Sequence, residues 1–437
     1  MRGLYTCLLY LITPLVLLRL LWRSRQIRGY RERLGERFGF VATSPRDADI
    51  AVWVHAVSVG EALAALPLIR RLVERHGERR VWVTTTTPTG SERVSAALGD
   101  KVIHTYAPYD LPGSVGRFLD RVRPRQVVIM ETELWPTLFR ALRRRGIPLT
   151  IANARLSPRS FKGYSRVAGF TRDVLKDTTR VAAQSEADAQ RFASLGAPTV
   201  ASIGNLKFDI EAPAPQIQAG QALRARLIGS VARPVWIAAS THEGEEVAAI
   251  EAHRRVRMRH PDALLLLVPR HPQRFDEVAR RLEHSGLAYR RRSALERAGD
   301  DDTALPGLAV LLGDSLGEMW MYLAACDVAF VGGSLVPVGG HNVLEPAVLG
   351  LPVLFGPHMH NFIAARDLLL GCSSAVEVGD AEALARSLIE LLDDPQRCAR
   401  MGEAGRVAVM SNRGALEKLL AVLNSEARDS GLGTRDS

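Results

Sequence analysis

Apolar runs of strand length alternate with segments of helical period through most of this 437-residue chain. In the first half, Ile50–Val54, Val81–Thr85, Val127–Met130, Leu149–Ala152 and Val181–Ala183 are short continuous apolar runs that read as buried strands. Ala62–Glu74, Ser91–Leu98, Thr137–Arg145 and Ala187–Leu195 read as helices between them. This alternation predicts a parallel sheet covered on both faces. Ala212-Pro213-Ala214-Pro215 then marks a linker or domain edge, and the pattern restarts. Val235–Ala239, Ala263–Val268, Ala309–Leu312, Val328–Val331 and Val353–Phe355 read as strands, separated by helical segments Glu245–Met258, Phe275–His284 and Ala381–Leu392. The prediction is α/β: two doubly wound domains with a cleft between them. Ligands of such sheets bind beyond the carboxyl ends of strands, so the loops after strands are the ones to inspect.

The first residues break the pattern. Leu4 to Leu18 is almost wholly apolar, interrupted by Thr6, Thr13 and Pro14. Continued through Arg19 to Trp22, it reaches about the minimum length of a spanning helix. No small-residue cleavage site follows, which disfavours a removed signal peptide. Arg19, Arg23, Arg25, Arg28, Arg31 and Arg33 follow at once and place the body on the cytoplasmic side by the positive-inside rule. A helix lying in the interface is the other geometry open to this stretch.

Composition is globular, at 47% hydrophobic and 24% charged residues, and the length calls for two cores rather than one. The net charge is +10, and arginine supplies nearly all of the positive charge. Such a balance suits an anionic membrane or an acidic substrate as well as nucleic acid, and an arginine-rich composition bias explains much of it equally well. Cys7, Cys326, Cys372 and Cys398 are scattered without metal-ligand spacing, so they read as reduced thiols and zinc is not expected.

The loop after the Val328–Val331 run is the richest. Gly332-Gly333-Ser334-Leu335-Val336-Pro337-Val338-Gly339-Gly340-His341-Asn342-Val343-Leu344-Glu345 combines four glycines with a carboxylate one turn inside the helix that follows. Glycines admit close backbone approach to a ligand, free amides at a helix start favour phosphate, and a carboxylate can accept from two sugar hydroxyls. Three further loops follow strands of the same half: Ser240 to Glu246, Pro269 to Arg274 and Gly313 to Met319. Any one of them is ordinary turn chemistry; together they predict a nucleotide site. No G-x-x-x-x-G-K-[ST] loop and no Asp-x-Asp motif after a strand occurs, so basic side chains and helix termini are expected to hold phosphate without a metal.

The first half offers three candidates. His55-Ala56-Val57-Ser58-Val59-Gly60-Glu61 leads from a strand into a helix, and Glu61 could act as a general base on a sugar hydroxyl or simply favour the helix start. Glu131-Thr132-Glu133-Leu134-Trp135-Pro136 follows a strand; one Glu is expected to face the cleft and the other to cap a helix. Gly204-Asn205-Leu206-Lys207 contains one of only five lysines, which by itself is a weak pointer to a site that needs an ammonium rather than a guanidinium. The threonine-rich turn Thr84 to Gly90 reads as a hydroxyl-rich helix entry or an acceptor contact.

In this order the segments Val57–Glu61, Glu131–Pro136, Gly204–Lys207, Pro269–Pro272, Gly313–Glu318 and Gly332–Ala347 resemble the 3-deoxy-D-manno-octulosonic acid (Kdo) transferase family of lipopolysaccharide biosynthesis. The resemblance covers the chain to about residue 424. Ser315 and Leu316 stand where the family pattern has Thr and Met, and the tail after Asn424 has no counterpart. The resemblance implies a GT-B glycosyltransferase with two facing Rossmann-like domains: anchor 1–22, acceptor domain 23–210, CMP-sugar domain 211–405, and a segment 406–437 that crosses back and ends in a flexible tail. It implies inverting transfer of Kdo from CMP-Kdo to a tetraacylated lipid A precursor at the inner membrane, catalytic domains cytoplasmic, with no cofactor or metal and no nucleic acid. By position, Glu61 resembles the base, and Glu131 and Lys207 resemble stabilisers of the transition state. Arg270, His271, Leu316, Gly317, Glu318, Asn342, Val343, Leu344 and Glu345 resemble the CMP-binding set. Lys207 could serve the sugar carboxylate or the leaving phosphate. Another lipid-directed GT-B enzyme using a UDP-sugar is the nearest alternative, followed by a nucleotide-sugar epimerase and a catalytically silent membrane scaffold.

Overall fold

The computed structural model describes residues 1–25, 27–42, 50–229, 233–297, 305 and 307–429. The chain forms two compact units, Met1–Asp209 with Arg413–Ser437, and Ile210–Asn412. Each unit is built on one seven-stranded sheet whose strand pairs are all parallel.

In the first unit the strands are β1 (Val52–His55), β2 (Val81–Thr85), β3 (Ile103–Tyr106), β4 (Gln126–Met130), β5 (Leu149–Ala154), β6 (Arg180–Ala183) and β7 (Val200–Ser202), in the order β3-β2-β1-β4-β5-β6-β7. The order runs outward in both directions from β1 and β4, so the loops after these two strands diverge and open a crevice at the switch point. Both faces of the sheet are covered. Trp53, Trp82, Phe118 and Phe139 pack on one side; Val52, Val54, Leu68 and Ile69 pack on the other. The second side also takes Leu419, Leu420 and Leu423 of the last helix, Ala415–Asp429, which therefore belongs to the first unit. Each such leucine contributes about 1.5–3 kcal/mol by leaving water. Asp209 accepts from the Gly414 amide (2.6 Å) and the Leu416 amide (2.5 Å), capping that helix. Residues 425–429 of the expected tail continue the helix; residues 430–437 lie outside the described residues.

The second unit contains β8 (Val235–Thr241), β9 (Leu264–Pro269), β10 (Tyr289–Arg291), β11 (Val310–Leu312), β12 (Val328–Val331), β13 (Val353–Phe355) and β14 (Ala375–Glu377), in the order β10-β11-β9-β8-β12-β13-β14. Its switch point lies between β8 and β12. The Ala212–Pro215 segment, expected as a linker or domain edge, lies just past the boundary between the units and opens the helix Ala214–Ile228, with Pro215 in its first turn where a missing N–H costs nothing.

The helix Arg2–Arg23 is long and apolar enough to cross a membrane by length and composition. It nevertheless lies along the first unit. Arg2 pairs with Asp173 (2.5 Å) and Asp177 (2.6 Å) and donates to the Pro136 carbonyl (3.1 Å). The Tyr5 hydroxyl donates to Asp110 (2.9 Å). At the other end Arg23 sits over the ring of Tyr30, which is buried in the same unit. Leu4, Leu8, Leu11, Leu15, Leu18 and Trp22, spaced by three and four, form an outward stripe at 50% exposure or more.

Candidate functional site

Glu61 and Glu131 arise from the two loops that flank the first switch point, after β1 and β4. Ser58 ends the extended chain as N-cap of the helix Val59–His76 and accepts from the Glu61 amide (3.2 Å). The Glu61 carboxylate reaches back, accepting from the Ser58 hydroxyl (2.8 Å) and the Val57 amide (2.7 Å). This is a capping-box arrangement, enough to hold Glu61 in one rotamer. It does not account for the electrostatics. Burial pushes the Glu61 carboxyl up to about 7, against the two hydrogen bonds that lower it, and the carboxylates of Glu131 and Glu133 add to the rise. Each carboxylate oxygen carries two lone pairs, so acceptor capacity remains for a substrate hydroxyl.

Glu131 has φ of +56°, a left-handed conformation that costs a non-glycine residue about 1 kcal/mol or more. The turn is held by the Glu131 amide, which donates to Ala152 of β5 (2.8 Å). Its carboxylate lies 3.7 Å from the Lys207 ammonium. Lys207 is placed by two asparagines: Asn153 accepts from the Leu206 amide (3.0 Å) and Asn205 from the Lys207 amide (3.0 Å). All three catalytic candidates therefore come together in one unit.

The expected helix cap among Glu131 and Glu133 is a correction. The helix Pro136–Arg144 is capped by Asp110, which accepts from the amides of Thr137 (3.0 Å) and Leu138 (2.7 Å). Glu133 instead accepts from the Trp135 indole N–H (3.3 Å), and Trp135 stands edge-on to the buried His55 at 5.3 Å. Glu133 is taken by the indole beside it and Glu131 faces Lys207, whereas Asp110 reaches the helix start from the loop after β3. The threonine-rich turn is a helix entry, the first of its two readings: Thr86 donates to the Val57 carbonyl (2.8 Å), and Thr87 caps the next helix.

In the second unit the four glycine-rich or polar loops follow β11, β9, β8 and β12, four consecutive strands. The Asn342 amide group donates to Glu345 (3.1 Å), and its oxygen accepts from the Leu344 amide (3.1 Å). Burial pushes the Glu345 carboxyl up to about 7, while Asn342 and the nearby Arg270 guanidinium lower it. Arg270 and His271 also lie close enough to His341 to hold its imidazole neutral, although burial is the larger cause. Leu316 is 69% exposed, and Gly317 takes φ of +80°. Glu318 accepts from Ser315, from Tyr322 (3.3 Å) and from Arg292 (3.3 Å), so it fixes this loop.

The glycine-rich loop does not present its first amides to a ligand as expected. Those of Gly333 (2.7 Å), Ser334 (2.9 Å) and Leu335 (2.9 Å) all donate to Glu245, a fully buried carboxylate. The helix behind it, Leu344–Val348, is only five residues long. These three amides are therefore committed within the protein. Glu245 was hidden in the sequence because a Glu after Gly244 looks like any helix start. Among the described residues, no group of three or more His, Cys, Asp or Glu is placed to hold a metal ion.

The family model for 3-deoxy-D-manno-octulosonic-acid transferase (kdotransferase) matches residues 32–210. The 3-deoxy-D-manno-octulosonic acid transferase of Haemophilus influenzae is 41% identical over 97% of this chain and 98% of its own. That of Bordetella pertussis is 41% identical over the same shares. Among solved structures, the UDP-GlcNAc 2-epimerase of Neisseria meningitidis aligns over 86% of this chain and 100% of its own, at TM-score 0.54 and 14% identity. A glycosyltransferase from Rickettsia africae aligns over 86% and 98%, at TM-score 0.52 and 14% identity. At that identity these two speak for the GT-B fold alone. The motifs, the two sheets and the near-full-length identity lead to one assignment: the chain belongs to the 3-deoxy-D-manno-octulosonic acid transferase family.

Proposed function

We propose that the protein is an inverting glycosyltransferase that moves Kdo from CMP-Kdo to a tetraacylated lipid A precursor. The observation that carries this reading is the Glu61, Glu131 and Lys207 cluster at the first switch point, with the Glu61 carboxyl raised to about 7. A base poised near the working pH takes a proton most effectively, and Glu61 would take it from the acceptor hydroxyl. As the bond to phosphate lengthens, positive charge grows on the sugar ring, and Glu131 would offset it. Lys207, held near Glu131, would bind the sugar's own carboxylate or the departing phosphate. The second unit would hold CMP, with Glu345 on ribose hydroxyls and Arg270 and His271 on the phosphate. The strained backbone at Glu131 supports the reading, because such strain persists where function over-determines it.

The N-terminal helix would keep the enzyme on the inner membrane, catalytic units cytoplasmic, close to a lipid acceptor. Both ends of the helix are tied to the first unit, which favours a helix lying in the interface with its leucine stripe in the acyl region. Arg19 and Arg23 would meet anionic head groups at about 1 kcal/mol each.

The test is incubation of the full chain with CMP-Kdo and lipid A precursor, followed by mass spectrometry. A product heavier by Kdo, with CMP released, is expected. Transfer from a UDP-sugar alone, or CMP release without a glycosylated lipid, would overturn the proposal.

A further inference from the structure

The turn between β8 and the helix Glu245–Arg259 is bonded to two of the loops assigned to the donor, those after β9 and β12. His242 meets His341 through their Nε2 atoms at 2.8 Å, with the rings 9° from coplanar. One imidazole must donate and the other accept, so the two tautomers are locked to each other. Three and four positions later come Glu245 and Glu246, both fully buried and adjacent on one helix start. Their side chains diverge.

Glu245 accepts four backbone amides: His242 (2.9 Å) of its own turn, and Gly333, Ser334 and Leu335 of the glycine-rich loop. A buried carboxylate is stable only with such compensation. The fit is close enough to dictate a neighbour: a Cβ on Gly332 would stand 2.9 Å from the Glu245 carboxylate and 2.7 Å from the Ser240 carbonyl. Glu246 takes the other loop. Arg274 donates to both of its oxygens, at 3.0 and 3.2 Å, in a fork that fixes the segment just after Arg270 and His271. A helix start needs at most one carboxylate cap. Here two carboxylates and a histidine reach three separate points on the two loops that carry Arg270, His271 and the Asn342–Glu345 turn.

We propose that the His242–Glu246 turn is a positioning hub for the donor site. Glu245 and Glu246 set the spacing between Arg270–His271 and His341–Glu345, and so set affinity for the donor's cytidine monophosphate group without touching it. This rests on the donor-site reading above. Glu245 and Glu246 are positioning residues: their loss affects binding of the nucleotide, while the chemistry run by Glu61 is unchanged once the donor is bound.

The experiment measures CMP affinity by calorimetry, KM for CMP-Kdo, kcat and melting temperature on the full chain. Glu245→Gln turns an amide NH2 toward two N–H donors, whichever oxygen it replaces, and CMP affinity is expected to fall at least tenfold, with kcat at saturating donor within threefold of wild type. Glu246→Gln and Arg274→Gln are expected each to weaken CMP binding about fivefold, and the double variant no more than the worse single one, since both break one tie. Glu251→Gln, on the exposed side of the same helix, is expected to bind as wild type. The double-mutant cycle stands even where Glu245→Gln does not fold. Full additivity in that cycle, or unchanged CMP affinity in a folded Glu245→Gln protein, overturns the hub. Absence of CMP binding by the wild-type chain overturns the donor-site reading itself, a separate result.

Discussion

The two switch points are built alike and furnished in opposite ways. At the second, buried carboxylates bind loops together: Glu245 gathers four amides and Glu246 holds Arg274, while two strands away the half-buried Glu318 holds three side chains. At the first, the carboxylates of Glu61, Glu131 and Glu133 crowd one another, and the nearest cation to Glu131, Lys207, stands off at 3.7 Å. Satisfied charge makes a rigid frame, suited to holding a nucleotide. Burial raises the carboxyl of Glu61 and that of Glu345 at the second site alike; what differs is that like charges add to the rise at Glu61, whereas Asn342 and Arg270 oppose it at Glu345. The same sheet edge serves both because loops, not strands, set the electrostatics.

The comparison breaks most visibly at Glu61. Replacing it with Gln keeps the size but removes the base, and kcat is expected to fall by about 10²–10⁴. Steady-state kinetics at saturating donor reads this, and a fall below tenfold denies Glu61 the role.

Glu131 comes next. Glu131→Gly should lower kcat by about 10² while raising stability by about 1 kcal/mol, because glycine relieves the left-handed backbone. Glu131→Ala should lose the activity without the gain. Thermal melts of both variants check the pair; equal melting temperatures would remove backbone strain from the account.

Much of this was legible before any coordinates. The inner strands are continuous apolar runs, such as Leu264–Pro269, because both their faces are covered. The edge strands β3, β7, β10 and β14 escaped notice. Tyr289-Arg290-Arg291 and Ala375-Val376-Glu377 are short and partly polar because an edge pairs on one side only. The site residues were legible as loops after strands. Their partners were not. Lys207 meets Glu131 across 76 positions of sequence, and Glu245 meets Ser334 across 89. Strand order brings such pairs together, and it is the part of a doubly wound fold that local patterns do not encode.

Smaller effects sharpen the contrast through pH. Glu61 must be unprotonated to act, and its carboxyl sits at about 7 rather than its usual 4.5, so kcat should fall as pH drops through about 7. Glu131→Gln removes a charge that raises this value, so in the residual activity the midpoint should move to lower pH. Ser58→Ala removes a hydrogen bond that lowers it, so the midpoint should move to higher pH, alongside a loss of about 1 kcal/mol in stability from the missing cap. A pH–rate series on the three proteins checks both directions, and shifts of the same sign would contradict the assignment.

The division of labour is tested most directly by measuring CMP affinity and saturated kcat together in Glu61→Gln and Glu345→Gln. A crossed result is predicted. Glu61→Gln binds CMP as wild type and turns over about 10²–10⁴ more slowly; Glu345→Gln loses about tenfold in CMP affinity and keeps most of its saturated kcat. Glu61→Gln losing CMP affinity as severely as Glu345→Gln, or retaining wild-type turnover, would contradict the account.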